Sequence, residues 1–98
     1  MKGYILAEIE VTDPETYKQY MPLAAAAIAA FRGRYLVRGG EVQPLEGDYD
    51  PRRTVLIEFD SPEQARAFYY SAQYQEAVAI RRRCSRGRLV LFSGVHPQ

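Results

Sequence analysis

The chain has 98 residues, of which 47% are hydrophobic and 26% charged, and its formal net charge is +1. A chain of this size forms a single domain, residues 1–98, and its one cysteine, Cys84, excludes an internal disulfide and a multi-cysteine metal site, so we predict neither a metal nor a cofactor. Without the long apolar run that a signal peptide or a membrane span requires, we expect a cytoplasmic protein with no membrane partner.

The first predicted element is a strand over residues 3–11. Alternation of apolar and other side chains at a period of two is typical of a strand with one buried face. The apolar side contains Ile5, Ala7, Ile9 and Val11, and the mixed side contains Tyr4, Leu6, Glu8 and Glu10.

A helix is predicted next. Asp13 is a typical N-cap residue, Pro14 suits the first helical position, and Glu15 places an acid in the first turn. Gly33 is expected to end the helix, because glycine tolerates the left-handed conformation that follows a C-cap. The apolar stripe at spacings of three and four contains Tyr17, Tyr20, Met21, Ala24, Ile28 and Phe31.

Two strands joined by a polar turn are expected after this helix. The first covers residues 34–38 and, after a bulge or a close backbone approach at Gly39 and Gly40, can resume through Val42. Residues 44–53 are rich in turn-forming residues and should form an exposed hairpin loop. Residues 54–59 alternate again, with Val55, Ile57 and Phe59 opposing Thr54, Leu56 and Glu58.

A second helix begins at the capping-box pattern of Ser61 and Gln64. Its expected buried residues are Ala65, Phe68, Tyr69 and Ala72. Ser71 can cap a new helical segment, whose stripe would contain Tyr74, Ala77, Val78 and Arg81. Gly87 is expected to end this helix, and residues 88–94 to form a last strand.

The order of the elements is β, α, β, β, α, β. This order predicts an α+β, ferredoxin-like fold, in which two helices cover one face of a four-stranded antiparallel sheet. The helices should cover the face that contains Ile5, Ala7, Ile9, Val55, Ile57 and Phe59.

The other face of the predicted sheet is both apolar and charged. Such a surface suits neither water nor an ordinary core, and a second copy packed face to face would bury its leucines. We therefore predict a homodimer that forms through this face. The expected residues are Leu6, Glu8, Leu56 and Glu58, with Leu36 or Val37 and Arg38 nearby.

Carboxylates on a buried face need a cation or a proton. Arg38 and Arg81 are the candidate partners of Glu58, and Glu8 competes for them. One interpretation is a fixed ion-pair network that sets the register of the dimer. The other is a site for a small polar or anionic molecule, made of arginine, carboxylates and tyrosines, in which one glutamate with a raised pKa acts as a base.

Other residues that often carry chemistry have simpler interpretations. His96 lies next to a proline in the tail and is expected to be solvated and not catalytic. Cys84 has no neighbouring histidine and is expected to be a small residue at a helix end. Asp48 and Asp50 suit a turn as well as they suit a weak cation site.

No nucleic-acid partner is predicted. The basic run from Arg81 to Arg88 could contact phosphates, but cations in the last turn of a helix also interact with its dipole and its free carbonyls. An RNA-binding sheet of this fold stacks bases on aromatic side chains, and Glu58 occupies a position where an aromatic ring would be needed.

Four segments of the chain resemble a known family when they are taken together with Arg81. They are residues 33–40 (GRYLVRGG), 45–48 (LEGD), 57–59 (IEF) and 69–74 (YYSAQY). They are similar to a widespread bacterial family of about a hundred residues, of unknown function, in the dimeric α+β barrel superfamily. The resemblance covers nearly the whole chain and implies a homodimer whose sheets form a barrel.

The resemblance implies little about chemistry. Relatives in the superfamily include cofactor-free monooxygenases, lactone isomerases and haem-dependent enzymes, and a fold does not determine a function. The chain departs from the haem-dependent relatives because it has no histidine in the body of the domain.

Three functions remain open at this point. The first is a dimeric protein that binds a small molecule. The second is a cofactor-independent monooxygenase or isomerase acting on a small carbonyl or aromatic compound, with Glu58 or Glu8 as the base and Arg38 stabilising an enolate or carboxylate. The third is an interaction module without a ligand. The predicted ligand-binding residues are Arg38, Gly39, Glu58, Tyr69, Tyr74 and Arg81.

Overall fold

The computed structural model describes residues 1–49 and 52–96, which form one antiparallel sheet with helices on one face. The sheet order is β2-β3-β1-β4, and all three strand pairs are antiparallel. This arrangement confirms the predicted ferredoxin-like fold. The elements are β1 (Gly3–Val11), α1 (Pro14–Ala30), β2 (Arg34–Arg38), β3 (Arg53–Phe59), α2 (Pro62–Tyr70), α3 (Ala72–Cys84) and β4 (Ser85–Ser93).

The helices cover the face of the sheet that the alternating pattern predicted. Ile5, Ile57 and Phe59 are each no more than 5% exposed, because they lie beneath the helices. Burial of such apolar surface is the main stabilising contribution to a small domain. The helices contribute Ala24, Ala27, Ile28, Ala65, Phe68, Tyr74, Ala77 and Val78 to the same core.

Each helix begins at the residue that the sequence indicated. The Asp13 carboxylate accepts a hydrogen bond from the backbone N–H of Thr16, and the Ser61 hydroxyl accepts one from the N–H of Gln64. Ser71 splits the second predicted helix into α2 and α3. Its hydroxyl donates to the Phe68 carbonyl at 2.7 Å and accepts from the Tyr74 N–H at 3.1 Å, which confirms the predicted cap.

Two glycines have roles that differ from the prediction. The left-handed residue after α1 is Arg32, with φ 62°, and Gly33 is needed for space, because a Cβ there would lie 2.7 Å from Cγ2 of Ile28. Gly87 does not end a helix. It lies inside β4 opposite Ile9, and a Cβ there would collide with the Glu8 carbonyl.

The bounds of β2 and β4 also differ from the prediction. α3 ends at Cys84 and β4 begins directly at Ser85, so Arg86 and Arg88 lie on a strand. β2 ends at Arg38, and residues 39–49 contain no strand. The irregularity in β2 falls between Tyr35 and Val37 and not at the two glycines. Asp50, one of the two aspartates discussed as a weak cation site, lies outside the described residues.

No helix in the described part of the chain is long and apolar enough to cross a membrane. Among residues 1–49 and 52–96, no group of three or more histidine, cysteine, aspartate or glutamate side chains is placed to hold a metal ion.

Candidate functional site

Glu58 forms an ion pair on the uncovered face of the sheet. Its Oε1 accepts hydrogen bonds from Nη2 of Arg34 at 2.9 Å and from Nε of Arg34 at 3.1 Å. The Tyr4 hydroxyl donates to Oε2 at 3.1 Å. These hydrogen bonds hold the pKa of Glu58 below its usual value, and those from the Arg34 guanidinium have the largest effect. Glu58 is therefore an ionised, occupied acceptor, which does not fit a base with a raised pKa.

The predicted pairing of Glu58 with Arg38 or Arg81 is wrong, and the bulge in β2 explains the error for Arg38. Strict alternation would place Arg34 and Arg38 on the same face. The extra residue at Leu36 shifts the alternation, so Arg34 opposes Glu58 while Arg38 opposes Val55. Arg38 therefore lies on the helix side of the sheet, where its guanidinium stacks 4.3 Å from the centre of the Tyr35 ring.

Glu8 is also paired on the uncovered face. Its Oε1 accepts a hydrogen bond from Nε of Arg88 at 2.9 Å, on the neighbouring strand β4. The two carboxylates proposed as candidate bases are therefore each paired with an arginine, and Arg34 also contacts Oδ1 of Asp60 at 3.4 Å. Apolar side chains lie between the two ion pairs, and Val37, Val90 and Phe92 on this face are 41%, 41% and 49% exposed.

A cavity lies on the opposite side of the sheet, between the strands and α1, and we call it the tyrosine cavity. The volume of this cavity is about 40 Å³. Space of this size holds about two or three waters, or one small polar group. Its lining contains the tyrosines Tyr17, Tyr20, Tyr35 and Tyr74, the arginines Arg38 and Arg53, and the apolar residues Ala7, Ile9, Met21, Ala24, Ile28, Val55, Ile57, Phe68 and Leu89.

Two arginines lie where β2 ends and β3 begins. Arg38 is exposed and Arg53 is half-buried, so this end of the tyrosine cavity faces the solvent. Gly39 has φ 64°, and a Cβ there would lie 2.5 Å from Nη1 of Arg53. The glycine thus leaves the room that the Arg53 guanidinium occupies. The Nε atom of Arg53 is buried and has no hydrogen-bond partner among the described residues.

Three of the tyrosine hydroxyls in the cavity, those of Tyr17, Tyr20 and Tyr35, stay protonated at neutral pH. Burial is the largest effect on Tyr17, Tyr20 and Tyr35, and it raises the pKa of each hydroxyl above the ordinary value. The hydroxyls of Tyr20 and Tyr74 lie 2.8 Å apart. One of them donates to the other, so the acceptor of the pair keeps its own proton for a further partner.

A second recess lies at the edge of the sheet, where α3 ends and β4 begins. Tyr69 and Arg81 contribute to its lining, together with Arg82, Ser85, Arg86, Gly87 and Leu89. Arg81 is 8% exposed, and its Nε is buried without a hydrogen-bond partner in the described part of the chain.

The six predicted ligand-binding residues thus lie in three places. Arg38 and Tyr74 line the tyrosine cavity, and Gly39 adjoins Arg53 at its end. Tyr69 and Arg81 line the recess beside α3, and Glu58 lies on the uncovered face. The prediction that they bind a ligand stays a prediction.

The sequence reasoning did not single out four of the residues that structure these sites, namely Arg34, Arg53, Tyr20 and Tyr35. The helical spacing shows only that Tyr20 belongs to the apolar stripe of α1 and gives no role for its hydroxyl. The turn-rich composition of residues 44–53 predicts that Arg53 lies at the end of a loop. Its position one residue before an alternating strand was the available signal, because extending the alternation backwards puts Arg53 on the same side as Val55.

The order of the elements and the sheet topology define a ferredoxin-like domain. The chain belongs to the family described as a domain of unknown function, DUF1330, whose model matches residues 2–95. A comparison with curated proteins found no match.

Several solved structures share the fold. A protein of unknown function from Rhodopseudomonas palustris is 16% identical, with 98% of this chain and 84% of that chain covered and a TM-score of 0.72. A dimeric ferredoxin-like protein from Thermobifida fusca is 19% identical, with 95% and 91% covered and a TM-score of 0.64. The cofactor-independent oxygenase SnoaB from Streptomyces nogalater is 14% identical, with 98% and 95% covered and a TM-score of 0.61. At these identities the likeness shows the fold alone.

Proposed function

We propose that the protein is a homodimer that binds a small anionic molecule, and that the anionic group enters the tyrosine cavity between Arg38 and Arg53. The observation that carries this proposal is the charge of the lining. It contains two guanidinium groups and four tyrosine side chains, and no aspartate or glutamate is among its described lining residues.

The lining suits a carboxylate better than it suits a cation or an apolar group. Guanidinium groups donate several hydrogen bonds in a fixed geometry that matches a carboxylate. The buried Nε of Arg53 has no hydrogen-bond partner among the described residues, and a buried donor without a partner costs free energy. With about 40 Å³ open, only the anionic group fits inside, and the rest of the ligand extends past Arg38 to the solvent.

The homodimer is proposed to form through the uncovered face of the sheet. Leu6 and Leu56 oppose each other at its centre, and the exposed Val37, Val90 and Phe92 extend the apolar surface. Exposed apolar surface of this kind is typical of an interface. A neighbour of the same fold, from Thermobifida fusca, is described as dimeric.

Binding is favoured over the enzyme and over the ligand-free module. The enzyme interpretation places Glu58 or Glu8 beside Arg38, and those carboxylates lie on the other face of the sheet, where each is paired with a different arginine. A module without a ligand needs its charges to be mutually satisfied, whereas the Arg53 guanidinium contacts the Tyr17 ring at 5.9 Å and no carboxylate is among the described lining residues of the cavity.

The ligand is tested by a nuclear magnetic resonance titration of the whole protein with acetate and benzoate. We expect saturable shifts at the amides of Tyr17, Gly39 and Arg53, and a loss of binding of about tenfold in Arg53→Met, as expected for one charge-assisted hydrogen bond. Arg66→Met makes the same chemical change on the exposed surface of α2 and serves as the control. An equal loss of affinity in Arg53→Met and Arg66→Met, or amide shifts that do not saturate, would contradict the proposal.

The dimer is tested by light scattering after gel filtration. We expect twice the chain mass of 11.2 kDa. Leu56→Glu should give the mass of one chain, because a charge at the centre of the interface has no partner there. Glu41→Gln, in the exposed segment after β2, is the control and should leave the dimer intact. A wild-type protein with the mass of one chain at micromolar concentration overturns this part of the proposal.

A further inference from the structure

We infer that the recess where α3 meets β4 is a second anion site, which binds the phosphate group of a small phosphate monoester. We call it the arginine recess, and it is lined by Tyr69, Arg81, Arg82, Ser85, Arg86, Gly87 and Leu89. It opens at a different place from the tyrosine cavity and does not rest on the function proposed above, although the Arg81 charge opposes the rise in pKa that burial causes at Tyr17 and Tyr20. Among the lining residues that the structure describes, the two share Leu89 alone.

Arg81 is the residue that points to a ligand. It occupies the buried side of α3 in line with Tyr74, Ala77 and Val78, and it is only 8% exposed. Its Nε is buried without a hydrogen-bond partner, and no ion pair within the described residues includes it. An arginine is rarely buried unless it is paired, because transfer of an unpaired charge from water is strongly unfavourable.

The end of the helix does not supply the missing partner. Arginines in a last turn often bind the free carbonyls of the helix. Here the Arg81 carbonyl accepts a hydrogen bond from the Ser85 hydroxyl at 2.7 Å, and the Cys84 carbonyl accepts from the backbone N–H groups of Thr12 and Asp13 at 2.8 and 3.1 Å. The Ile80 carbonyl accepts from the Cys84 thiol at 3.3 Å. The carbonyls of Ile80, Arg81 and Cys84 are therefore occupied by other donors.

The charge of the arginine recess favours a dianion. Three arginines line it, and no aspartate or glutamate is among its described lining residues. Glu10 opposes Arg86 in the strand register but is not part of the lining, and no described ion pair joins the two. A phosphate monoester carries close to two negative charges and three acceptor oxygens, and arginines recognise it through paired hydrogen bonds.

The shape of the arginine recess favours a small molecule. About 440 Å³ is open there, which is within the range of small-molecule sites. The Tyr69 ring and the Leu89 side chain add apolar contact, and the Ser85 hydroxyl adds a polar group. The phosphate would lie against Arg81, and the organic part of the monoester against Tyr69.

The proposal is tested by titrating the whole protein with phenyl phosphate and with inorganic phosphate, followed by nuclear magnetic resonance and calorimetry. We expect saturable amide shifts over residues 81–89 and tighter binding of phenyl phosphate. Arg81→Met and Arg82→Met should each weaken binding about tenfold. Arg83→Met removes the same charge from the same helical turn outside the lining and should change binding less than twofold.

Each result supports or overturns the proposal. Because Arg81 is buried, binding to Arg81→Met is interpreted only if its circular dichroism and unfolding match those of the wild type. Arg82→Met replaces an exposed side chain, so it tests the proposal independently of folding. Equal losses in Arg82→Met and Arg83→Met, or no saturation in the millimolar range, overturn the proposal. The proposal is also overturned if a single-stranded oligonucleotide binds more tightly than phenyl phosphate and loses affinity equally in Arg81→Met, Arg82→Met and Arg83→Met. Arg53→Met distinguishes the two sites, because it should weaken acetate binding and leave phosphate binding unchanged.

Discussion

Arg34 and Glu58 face each other across β2 and β3, with Nη2 of the arginine 2.9 Å from Oε1 of the glutamate. The pair lies at one side of the apolar surface through which we propose that the dimer forms. The ion pair therefore holds the Glu58 carboxylate in a defined position beside that surface, and the titration of this carboxylate can be measured directly.

We predict that the pKa of Glu58 lies below its ordinary value and that Arg34→Met raises it. The lowered pKa means that the folded protein binds the proton less tightly than the unfolded chain does. The contribution of Glu58 to stability is therefore present above the unfolded-state pKa and is lost as the pH falls through the folded-state pKa. Carboxyl-carbon nuclear magnetic resonance measures the pKa in both proteins. Arg88→Met is the control, because Arg88 contacts Glu8 instead. An unchanged pKa of Glu58 in Arg34→Met would show that the arginine is not its main partner.

The bulge in β2 is a feature that could not be predicted from the sequence. Strands with a clean alternation, such as β1 and β3, were placed on the correct face because their apolar positions repeat every second residue. Leu36 and Val37 are both apolar, so the sequence pattern does not show that Leu36 is an extra residue between Tyr35 and Val37. The bulge moves Arg38 to the helix side, where it lines the tyrosine cavity.

The caps were predictable for the opposite reason. A cap depends on a residue and its neighbours three positions away, and the sequence contains that information directly. Which buried side chains meet depends on contacts between distant segments. The contact of Tyr20 with Tyr74 joins residues 54 positions apart, so no local sequence pattern predicts it.

We predict that the hydroxyls of Tyr20 and Tyr74 stabilise the fold as a pair. Tyr74→Phe leaves the Tyr20 hydroxyl without this partner at a mostly buried position and should lower the free energy of unfolding by about 1–3 kcal/mol. The double variant with Tyr20→Phe should lose less than the sum of the two single variants, because both partners are then apolar. Urea unfolding measures all three. Tyr70→Phe is the control, since Tyr70 is 72% exposed and should give no change. Strict additivity would argue against the pair.

We predict opposite effects of substitutions at Arg32 and Gly33. Arg32 has φ 62°, and glycine at this position relieves a strain of about 1–2 kcal/mol while costing about 0.5–1 kcal/mol of chain entropy. Arg32→Gly should therefore raise the free energy of unfolding slightly. Gly33→Ala should lower it by about 1–3 kcal/mol, because the new Cβ would lie 2.7 Å from Cγ2 of Ile28 and 2.8 Å from Cε1 of Phe59. Thermal unfolding of both variants checks the signs, and a destabilised Arg32→Gly would refute the assignment of the strained residue.

We predict that Ser71→Ala weakens both the fold and the tyrosine cavity. The Ser71 hydroxyl is the N-cap of α3 and also satisfies the Phe68 carbonyl, so its loss should cost about 1 kcal/mol of the free energy of unfolding. The same cap places Tyr74 at the start of α3 and below α1, where it meets Tyr20. Acetate binding in the tyrosine cavity should therefore weaken as well. Ser71→Thr keeps the hydroxyl and should retain most of both properties, while Ser93→Ala removes an exposed hydroxyl and should change neither. If Ser71→Ala lowers stability but leaves acetate binding at the wild-type level, the break between α2 and α3 does not position the cavity, and Tyr74 is held in place by its packing against Phe68 instead.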